Sequence, residues 1–363
     1  MSTAQRIRSL DVTPLDIPLF EPFGISGGAQ AMANNVLVRL ELEDGSVGYG
    51  EAAPLPPYNG ETQAQALAAL QAAQAWVVGE DVDLVMWREL AAQFRRRGGH
   101  ACGSAQCAFE MALLDALSRS AGLPLWTFFG GTGTVLETDM TVTTGSPEDA
   151  AEDARAIRAR GIRMIKVKVG GKGGSLHDLA RLLAIRDVAP DSPLILDGNA
   201  GLSRAAAAEL VRGLKAQDIV PALLEQWLAK DDLAGANALS AESGWLVAAD
   251  ESVTSAADAR RVVAERAAQV INIKLMKAGV AEALDIASVA RESGLGLMIG
   301  GNVESILAMT VSACFAAGQG GFRFADLDTP FFLAANPFKG GYAIDGGVIS
   351  VAHIAAGHGV TPA

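Results

Sequence analysis

Two lysines lie two residues apart in an otherwise apolar segment, IKVKVG at residues 165–170. Side chains alternate across a β-strand, so Lys166 and Lys168 share one face while Val167 and Val169 share the other. A buried ammonium group without a partner is unfavourable, so this segment taken alone predicts an exposed edge strand. The acidic residues that follow it in the chain favour a different interpretation.

Three carboxylates stand at the ends of the next three strand-like segments. Asp197 ends PLILD, Glu225 lies near the end of ALLEQ and Asp250 ends WLVAAD, each about one β–α unit after the last. The C-terminal ends of the strands of a closed barrel meet at one mouth, where these acids would come together. Clustered carboxylates without a histidine or cysteine favour Mg²⁺ as the cation that holds them.

A lysine flanks this acidic group on each side in the sequence. Lys168 precedes Asp197 by one unit, and Lys274, in VINIKL, follows Asp250 by one unit. On a closed ring of strands the two lysines would lie on opposite sides of the metal. We therefore expect a substrate carboxylate bound to Mg²⁺, with one lysine removing the α-proton and the other returning it on the opposite face. Lys166 should favour a neutral amine at Lys168 by like-charge repulsion, and it could also donate to the substrate carboxylate.

The elements that must position these residues begin near residue 138. Short β-rich segments alternate there with Ala-rich amphipathic helices, a pattern typical of a parallel sheet. Eight such segments favour a closed (β/α)₈-type barrel over an open, doubly wound sheet, and the chain lacks a G-x-G-x-x-G dinucleotide fingerprint in the required context. The segments are TDMTV (138–142), MIKVKV (164–169), PLILD (193–197), ALLEQ (222–226), WLVAAD (245–250), VINIKL (270–275), LGLMIG (295–300) and FRFADLD (322–328).

Residues 1–130 have a different pattern, which predicts an α+β capping domain. Loops rich in Gly, Pro and aromatic residues at 20–28 and 54–61 are typical of a lid over a pocket. Residues 131–340 would form the barrel domain, and the strand-like tail at 341–363 is expected to return to the cap. The expected cap elements are β-rich segments at 5–19 and 35–50 and helices near 61–78, 85–96 and 104–120.

Composition restricts the class of protein further. The 363 residues are 50% hydrophobic and 19% charged, which fits a globular chain of two domains. A net charge of −12 argues against nucleic acid or an anionic membrane as partner. The N-terminus lacks the apolar run of a signal peptide, and no later stretch is apolar for long enough to span a bilayer. We therefore expect a cytoplasmic protein with three reduced cysteines.

The motifs KVKVG, LDGN, LLEQ, ADES and NIKLMKAG, in this order and spacing, resemble the muconate-lactonizing subgroup of the enolase superfamily, within its mandelate racemase and muconate lactonizing enzyme group. The resemblance extends over nearly the whole chain and implies a modified (β/α)₇β barrel under a capping domain. It also implies one Mg²⁺ ion per active site, with Asp197, Glu225 and Asp250 as ligands. Lys168 and Lys274 would be the acid/base pair, and the 20s and 50s loops would determine substrate specificity.

The eighth strand points to one reaction within that subgroup. FRFADLDTP carries Asp326 and Asp328 on one face, where two carboxylates suit a substrate ammonium group. This D-x-D element resembles the one with which dipeptide epimerases, such as the L-Ala-D/L-Glu enzymes, hold the N-terminal amine. By the same resemblance, Thr141, Asn302 and Glu304 would line the site. The expected activity is a two-base 1,1-proton transfer that inverts the α-carbon of the C-terminal residue through a metal-stabilised enediolate.

The 20s loop bears on which dipeptide is used. The stretch EPFGISGGAQ has no arginine or lysine, which argues against an anionic glutamyl side chain on the second residue. Phe20, Phe23 and Ile25 favour an apolar second residue, and Glu21 is compatible with a cationic one. Lys277, three residues after Lys274, is interpreted as a loop charge.

Two alternatives remain at the level of sequence. A muconate cycloisomerase, an o-succinylbenzoate synthase or an N-acylamino acid racemase would share the fold and the metal site. A catalytically silent binding protein is disfavoured by bases on both faces of the site. The resemblance also gives assembly into a homo-oligomer as a family expectation.

Overall fold

The computed structural model of the protein describes residues 4–25 and 28–363. Its described part contains a four-stranded antiparallel sheet, followed along the chain by an eight-stranded parallel sheet whose strands are paired in sequence order. Seven helices lie between the eight parallel strands. This confirms the predicted α/β class, a (β/α)₇β barrel with an α+β cap.

The cap sheet has the strand order β3-β2-β1-β4, and helices of the cap pack against it. Among these, α2 begins with a capping box in which Thr62 and Gln65 satisfy each other's backbone amides. The cap elements are β1 (Gln5–Ile25), β2 (Gly28–Leu42), β3 (Val47–Ala52), α1 (Pro56–Asn59), α2 (Gln63–Val77), β4 (Asp81–Val82), α3 (Trp87–Arg96), α4 (Gly103–Ser120) and α5 (Leu125–Phe128), with a short 3₁₀ turn at Gly99–Ala101.

The first hairpin extends further than the sequence indicates. Residues 20–25, expected in a loop, continue strand β1, and β2 begins at Gly28 rather than near residue 35. Phe23 pairs with Gln30 after a register shift that follows the Pro18–Met32 pair. Backbone hydrogen bonds to β2 let this Gly- and Pro-rich segment join the ladder, next to an irregularity in the register.

The barrel is formed by the strands β6 to β13, each followed by a helix except the last. Ser146 and Asp149 form a capping box at α6, with Pro147 in the first turn. The elements are β5 (Val135–Glu137), β6 (Met140–Val142), α6 (Pro147–Ala159), β7 (Ile165–Lys168), α7 (Gly174–Val188), β8 (Leu194–Asp197), α8 (Arg204–Ala216), β9 (Leu223–Glu225), α9 (Leu233–Ser243), β10 (Val247–Ala249), α10 (Ala256–Glu265), β11 (Val270–Lys274), α11 (Val280–Glu292), β12 (Gly296–Gly300), α12 (Ile306–Gln319) and β13 (Phe322–Ala325), with 3₁₀ turns at Leu275–Lys277 and Thr329–Phe332.

The interior of the barrel is filled by apolar side chains below its mouth. One side chain from each of six strands contributes to this layer, so the centre is packed rather than open. The ring is joined at its two ends by a hydrogen bond of 2.9 Å from the Asp139 amide to the Ala325 carbonyl. The layer consists of Ile195, Leu223, Ala248, Val270, Met298 and Phe324.

Buried polar contacts join the cap to the barrel next to the mouth. Glu51 of β3 accepts hydrogen bonds from the hydroxyl and the amide of Ser305 at the start of α12. Asn35 of β2 donates to the Val303 carbonyl at 3.0 Å. These bonds fix the cap over the C-terminal ends of the barrel strands.

The C-terminal tail forms four short strands, β14 (Phe338–Gly340), β15 (Ala343–Asp345), β16 (Val348–Ser350) and β17 (Val360–Pro362). β16 pairs with β5, and β14 pairs with β17. The His358 amide donates to Asp115 of α4 at 2.9 Å. The domain boundaries at 130 and 340, and the return of residues 341–363 to the cap, stay predictions.

No helix in the described part of the chain combines the length and the hydrophobicity needed to cross a bilayer.

Candidate active site

The parallel strands bring the charged residues of the barrel to one end. Lys168, Asp197 and Glu225 are register partners on the neighbouring strands β7, β8 and β9. Asp250 follows β10 directly, and Lys274 is the last residue of β11. All five side chains are buried. The segment IKVKVG is therefore an interior strand, and the expectation of an exposed edge strand is wrong because carboxylates on neighbouring strands compensate its lysines.

Lys166 lies at the centre of these charges. Its Nζ is 3.0 Å from Oδ2 of Asp197, 2.9 Å from Oε2 of Glu225 and 2.6 Å from Oδ2 of Asp326. Burial opposes the charged form, but the surrounding carboxylates outweigh it and raise the pKa of Lys166 well above its usual value. Lys166 thus connects the predicted metal ligands with the D-x-D pair of the eighth strand.

The two predicted bases are each paired with a different acid. Nζ of Lys168 donates to Oδ2 of Asp197 at 2.6 Å, and Nζ of Lys274 lies 2.7 Å from Oδ2 of Asp250. Lys168 is on the second barrel strand and Lys274 on the sixth. The two ammonium groups therefore lie at the ends of strands that are four positions apart in the sheet, and their role as bases stays a prediction.

Burial and charge act in opposite directions on the acids of the mouth. Burial would raise the pKa of Asp250, but the ammonium groups of Lys274 and Lys277 hold it at about 2. Burial and the neighbouring charge of Asp197 raise the pKa of Glu225 to about 7. Glu225 is the acid of this group that is least able to keep its negative charge without a further cation.

The donor set fits a hard cation. The predicted ligands offer oxygen atoms only, which suits Mg²⁺. Oε2 of Glu225 and Oδ2 of Asp250 are buried and accept no hydrogen bond from any described residue, although lysine Nζ atoms lie 2.9 and 2.7 Å away. The lysine ammonium groups occupy the space between these acids.

A second acidic group lies at the junction of the first and eighth strands. Within the described residues, the carboxylates of Asp139, Asp326 and Asp328 are the group whose oxygens all lie within 4.8 Å of one another. Burial, together with the charge of Asp326, raises the pKa of Asp328 to about 8. Carboxylates this close together favour a cation, and for Asp326 and Asp328 we predict a substrate ammonium group.

Of the other predicted site residues, Thr141 and Asn302 line the cavity at the mouth, whereas Glu304 does not. The Thr141 amide donates to Oδ2 of Asp328 at 2.7 Å, so it fixes that carboxylate. Asn302 donates from Nδ2 to the Ala53 carbonyl of the cap at 2.9 Å. Glu304 accepts a hydrogen bond from the Asn302 amide, and burial raises the pKa of Glu304 to about 8.

The predicted specificity residues lie at the end of the first hairpin. Phe20 is 72% exposed. The side chains of Phe23 and Ile25 lie outside the part of the chain that the structure describes. Their contribution to specificity stays a prediction.

A small cavity is enclosed between the cap and the barrel mouth. Its walls combine the 50s segment of the cap with the ends of six barrel strands. A larger groove of about 490 Å³ lies outside the barrel between α8 and α9, away from every lysine of the mouth, so cavity size does not identify the site. The enclosed cavity is lined by Leu55, Tyr58, Thr141, Lys168, Asn199, Lys274, Gly301, Asn302, Asp326, Asp328 and Thr329.

Among the residues of this site that sequence reasoning missed are Lys277, Tyr58 and Asp139. Lys277 is buried and bonded to Asp250, so its interpretation as a loop charge is wrong. The 3₁₀ turn at Leu275–Lys277 explains the error, since residues three apart are eclipsed in such a turn and Lys277 follows Lys274 by three. Tyr58 reaches the mouth from the cap, a contact that no local sequence pattern indicates. Asp139 immediately precedes β6 and lies two residues before Thr141, so strand periodicity puts the two side chains on one face. This periodicity could have identified Asp139.

A capped barrel with a metal-type acid cluster and a lysine on either side defines a class of proton-transferring enzymes. Comparison with known proteins identifies the family within that class. Residues 149–363 match the enolase C-terminal domain-like family, and residues 8–130 match the N-terminal domain of the mandelate racemase and muconate lactonizing enzyme family. The chain belongs to this family of the enolase superfamily.

Individual relatives resemble the chain over its whole length. An aromatic dipeptide epimerase of Herpetosiphon aurantiacus is 51% identical over 98% of both chains. The crystal structure of a mandelate racemase/muconate lactonizing enzyme from Roseiflexus sp. has 55% identity and a TM-score of 0.93, covering 100% of this chain and 99% of that one. A dipeptide epimerase of Enterococcus faecalis, solved with Mg and the dipeptide L-Leu-L-Tyr, has 31% identity and a TM-score of 0.92, with coverage of 98% and 99%.

Proposed function

We propose that this chain is a Mg²⁺-dependent dipeptide epimerase that inverts the α-carbon of the C-terminal residue. The observation that carries the proposal is the combination of two features in one cavity. Lys168 and Lys274 lie on opposite sides of the mouth, and the acidic pair Asp326 and Asp328 lies at its edge. The 51% identity to an aromatic dipeptide epimerase supports the same conclusion.

The acidic pair favours a dipeptide over the other substrates of this fold. A free N-terminal ammonium group would complement the charges of Asp326 and Asp328, and Thr141 already orients the second of these. Muconate and N-succinyl substrates bring a further negative charge and no amine, so the pair would repel them. This argues against a cycloisomerase, an o-succinylbenzoate synthase or an N-acylamino acid racemase.

Asp197, Glu225 and Asp250 would hold the Mg²⁺ ion, and the buried oxygens Oε2 of Glu225 and Oδ2 of Asp250, which lie close to lysine Nζ atoms, support this. Bound Mg²⁺ would neutralise charge that develops on the substrate carboxylate and would take over the acids now paired with lysines, which favours the neutral amine that a base needs. Lys166, which contacts Glu225, would donate to that carboxylate.

The two lysines would do the proton transfer. Each lies at the end of a barrel strand and is held by a short contact, which supports a defined position for its Nζ. One would remove the α-proton and the other would deliver a proton from the opposite face. Inversion requires both bases, whereas exchange of the α-proton with solvent requires only one.

The preference for the side chain of the dipeptide's second residue is inferred from the 20s loop. Residues 21–30 contain no lysine or arginine, so a glutamyl side chain would lack a cationic partner there. We infer that the second residue is apolar, and the name of the Herpetosiphon relative and the L-Leu-L-Tyr of the Enterococcus structure agree with an aromatic one. The cytoplasmic location and the homo-oligomeric assembly stay predictions.

The test is a pooled library of L,L-dipeptides incubated with the protein and Mg²⁺ in D₂O. Epimerization introduces one solvent deuterium at the α-carbon, which mass spectrometry detects as a gain of about one dalton. We expect the gain for dipeptides with an apolar or aromatic second residue, and none for Ala-Glu. A Lys168→Ala, Lys274→Ala double variant serves as the inactive control. If no dipeptide in the library gains mass although Mg²⁺ is shown to bind, the proposal is contradicted.

A further inference from the structure

Oδ1 of Asp250 is occupied by two donors that belong to different parts of the molecule. Nζ of Lys277 donates to it at 3.0 Å, and the hydroxyl of Tyr58 donates to it at 3.2 Å. Oδ2 of the same carboxylate lies 2.7 Å from Nζ of Lys274, a predicted base. The two oxygens of Asp250 therefore have different surroundings, because Oδ1 is held by Tyr58 and Lys277 and Oδ2 faces Lys274.

Lys277 is held rigidly by the barrel. Besides Oδ1 of Asp250, its Nζ donates to the Asp250 carbonyl at 2.8 Å and to the Asn272 carbonyl at 2.7 Å. An ammonium group has three donors, so all of them are used. The Lys277 side chain is 3% exposed. It is neither a base for the substrate nor a solvated charge, and its contacts serve to orient Asp250.

Tyr58 makes the corresponding contact from the cap. It lies in α1, whose residues Pro56–Asn59 form part of the 50s segment. Its ring also stands over the ammonium group of Lys274, with Nζ 4.6 Å from the ring centroid. One side chain of the cap thus contacts both a predicted metal ligand and a predicted base.

We propose that Tyr58 and Lys277 are positioning residues for Asp250, which hold Oδ1 so that Oδ2 faces the Mg²⁺ ion, and that Tyr58 in addition orients Lys274 through its ring. Outer partners of this kind fix the orientation of a ligating carboxylate and contribute to metal affinity. The proposal rests on the proposed metal site and extends it to the cap. The 50s segment then supports metal binding as well as enclosing the substrate.

The first test measures Mg²⁺ affinity by titration calorimetry without any dipeptide. Tyr58→Phe removes the hydroxyl and Lys277→Met removes the ammonium group, and each should weaken Mg²⁺ binding about tenfold. Tyr49→Phe, a tyrosine of the cap sheet, and Lys230→Met, an exposed lysine, are matched controls with no expected effect. Tighter binding by Lys277→Met would mean that its charge merely repels the metal, and this would overturn the positioning role.

The second test separates the hydroxyl of Tyr58 from its ring. The two epimers of a dipeptide substrate present their α-proton to opposite faces of the site. The rate of α-proton exchange in D₂O for each epimer therefore reports the activity of the lysine on the corresponding face. Tyr58→Leu should slow exchange on the Lys274 face several-fold relative to the Lys168 face, whereas Tyr58→Phe, which keeps the ring, should leave the ratio unchanged. Equal slowing on both faces by Tyr58→Leu would contradict an effect through Lys274.

The two proposals can fail separately. If Lys277→Met does not fold, Tyr58→Phe, an exchange at a half-buried residue, still decides the first test. Wild-type Mg²⁺ affinity in Tyr58→Phe would overturn the positioning role even if every dipeptide is epimerized. Weakened Mg²⁺ binding in a protein that turns over no dipeptide would support the positioning role while contradicting the proposed function.

Discussion

At the scale of single residues, the mouth of the barrel is a set of buried carboxyl groups and lysines in contact with one another. Lys168 and Lys274 were recognisable from the sequence because they stand one β–α unit outside a run of three acids. Lys277 and Tyr58 were not recognisable. The position of Lys277 depends on a 3₁₀ turn, and that of Tyr58 depends on a contact from the cap. Spacing along the chain predicts contacts between neighbouring strands, but it does not predict contacts between domains.

The acidic pair of the eighth strand gives a prediction about substrate binding. Asp328→Asn should raise the KM for the dipeptide about 100-fold with a smaller change in kcat, because a charge-assisted hydrogen bond to the ammonium group is lost. Folding stability at pH 7 should change by less than about 1 kcal/mol, since a carboxyl with a pKa of about 8 is mostly neutral before substrate binds.

An N-acetylated dipeptide provides the control for this prediction. Acetylation removes the ammonium group, so the wild-type protein should bind the acetylated dipeptide poorly and Asp328→Asn should weaken that binding no further. Steady-state kinetics on both substrates measure the coupling. Independent, additive losses would show that Asp328 does not bind the amine.

At the scale of elements, the cap sheet lies unusually close to helix α4. A Cβ at Gly50 would lie 2.0 Å from the Ala108 carbonyl oxygen, and one at Gly48 would lie 2.1 Å from that of Ala112. Strand β3 therefore packs directly on the α4 backbone. β3 also carries Glu51, which bonds Ser305 at the start of α12, so this close approach helps to set the position of the cap over the barrel mouth.

Adding one methyl group at this contact should destabilise the protein. We expect Gly50→Ala to lower the free energy of unfolding by about 2 kcal/mol or more, since backbone on both sides prevents relaxation. Gly133→Ala is the control, because its Cβ would meet only an ordinary contact at 3.5 Å. Urea denaturation of both variants measures the difference, and equal stability would contradict the close packing of β3 on α4.

The elements also show where sequence patterns suffice and where they do not. Barrel strands such as β7 and β8 were predicted near their observed bounds because an apolar segment between two helices is a strong local signal. The extension of β1 to Ile25 was not predicted, because the conformation of residues 23–25 depends on their pairing with β2. Side-chain alternation contains no information on such backbone pairing.

At the scale of the whole molecule, buried acids lie where the cap meets the barrel. Glu110 of α4 is buried, accepts a hydrogen bond from Gln106 at 2.6 Å and accepts another from the Ala281 amide of α11 at 2.9 Å. Burial raises the pKa of Glu110 from 4.5 to about 7. The contact between cap and barrel therefore contains a carboxyl group, that of Glu110, that titrates near neutral pH.

This group makes stability depend on pH in a defined direction. The folded protein binds the proton of Glu110 more tightly than the unfolded chain, so its contribution is full below pH 4.5 and is lost as the pH rises through 7. The stability of the wild type relative to Glu110→Gln should therefore fall by up to about 3 kcal/mol over this window. Urea denaturation at several pH values, with metal chelated, measures it. A difference that does not vary with pH would contradict this assignment.

The measurement that tests the central claim most directly is α-proton exchange by Lys168→Ala and Lys274→Ala, each given both epimers of a dipeptide that the wild type turns over. If the two lysines are the bases on opposite faces, each variant should lose epimerization activity by about 1,000-fold or more. Each variant should still exchange the α-proton of one epimer with D₂O, and the two variants should prefer opposite epimers. Full epimerization by either variant, or exchange of the same epimer by both, would contradict the two-base account.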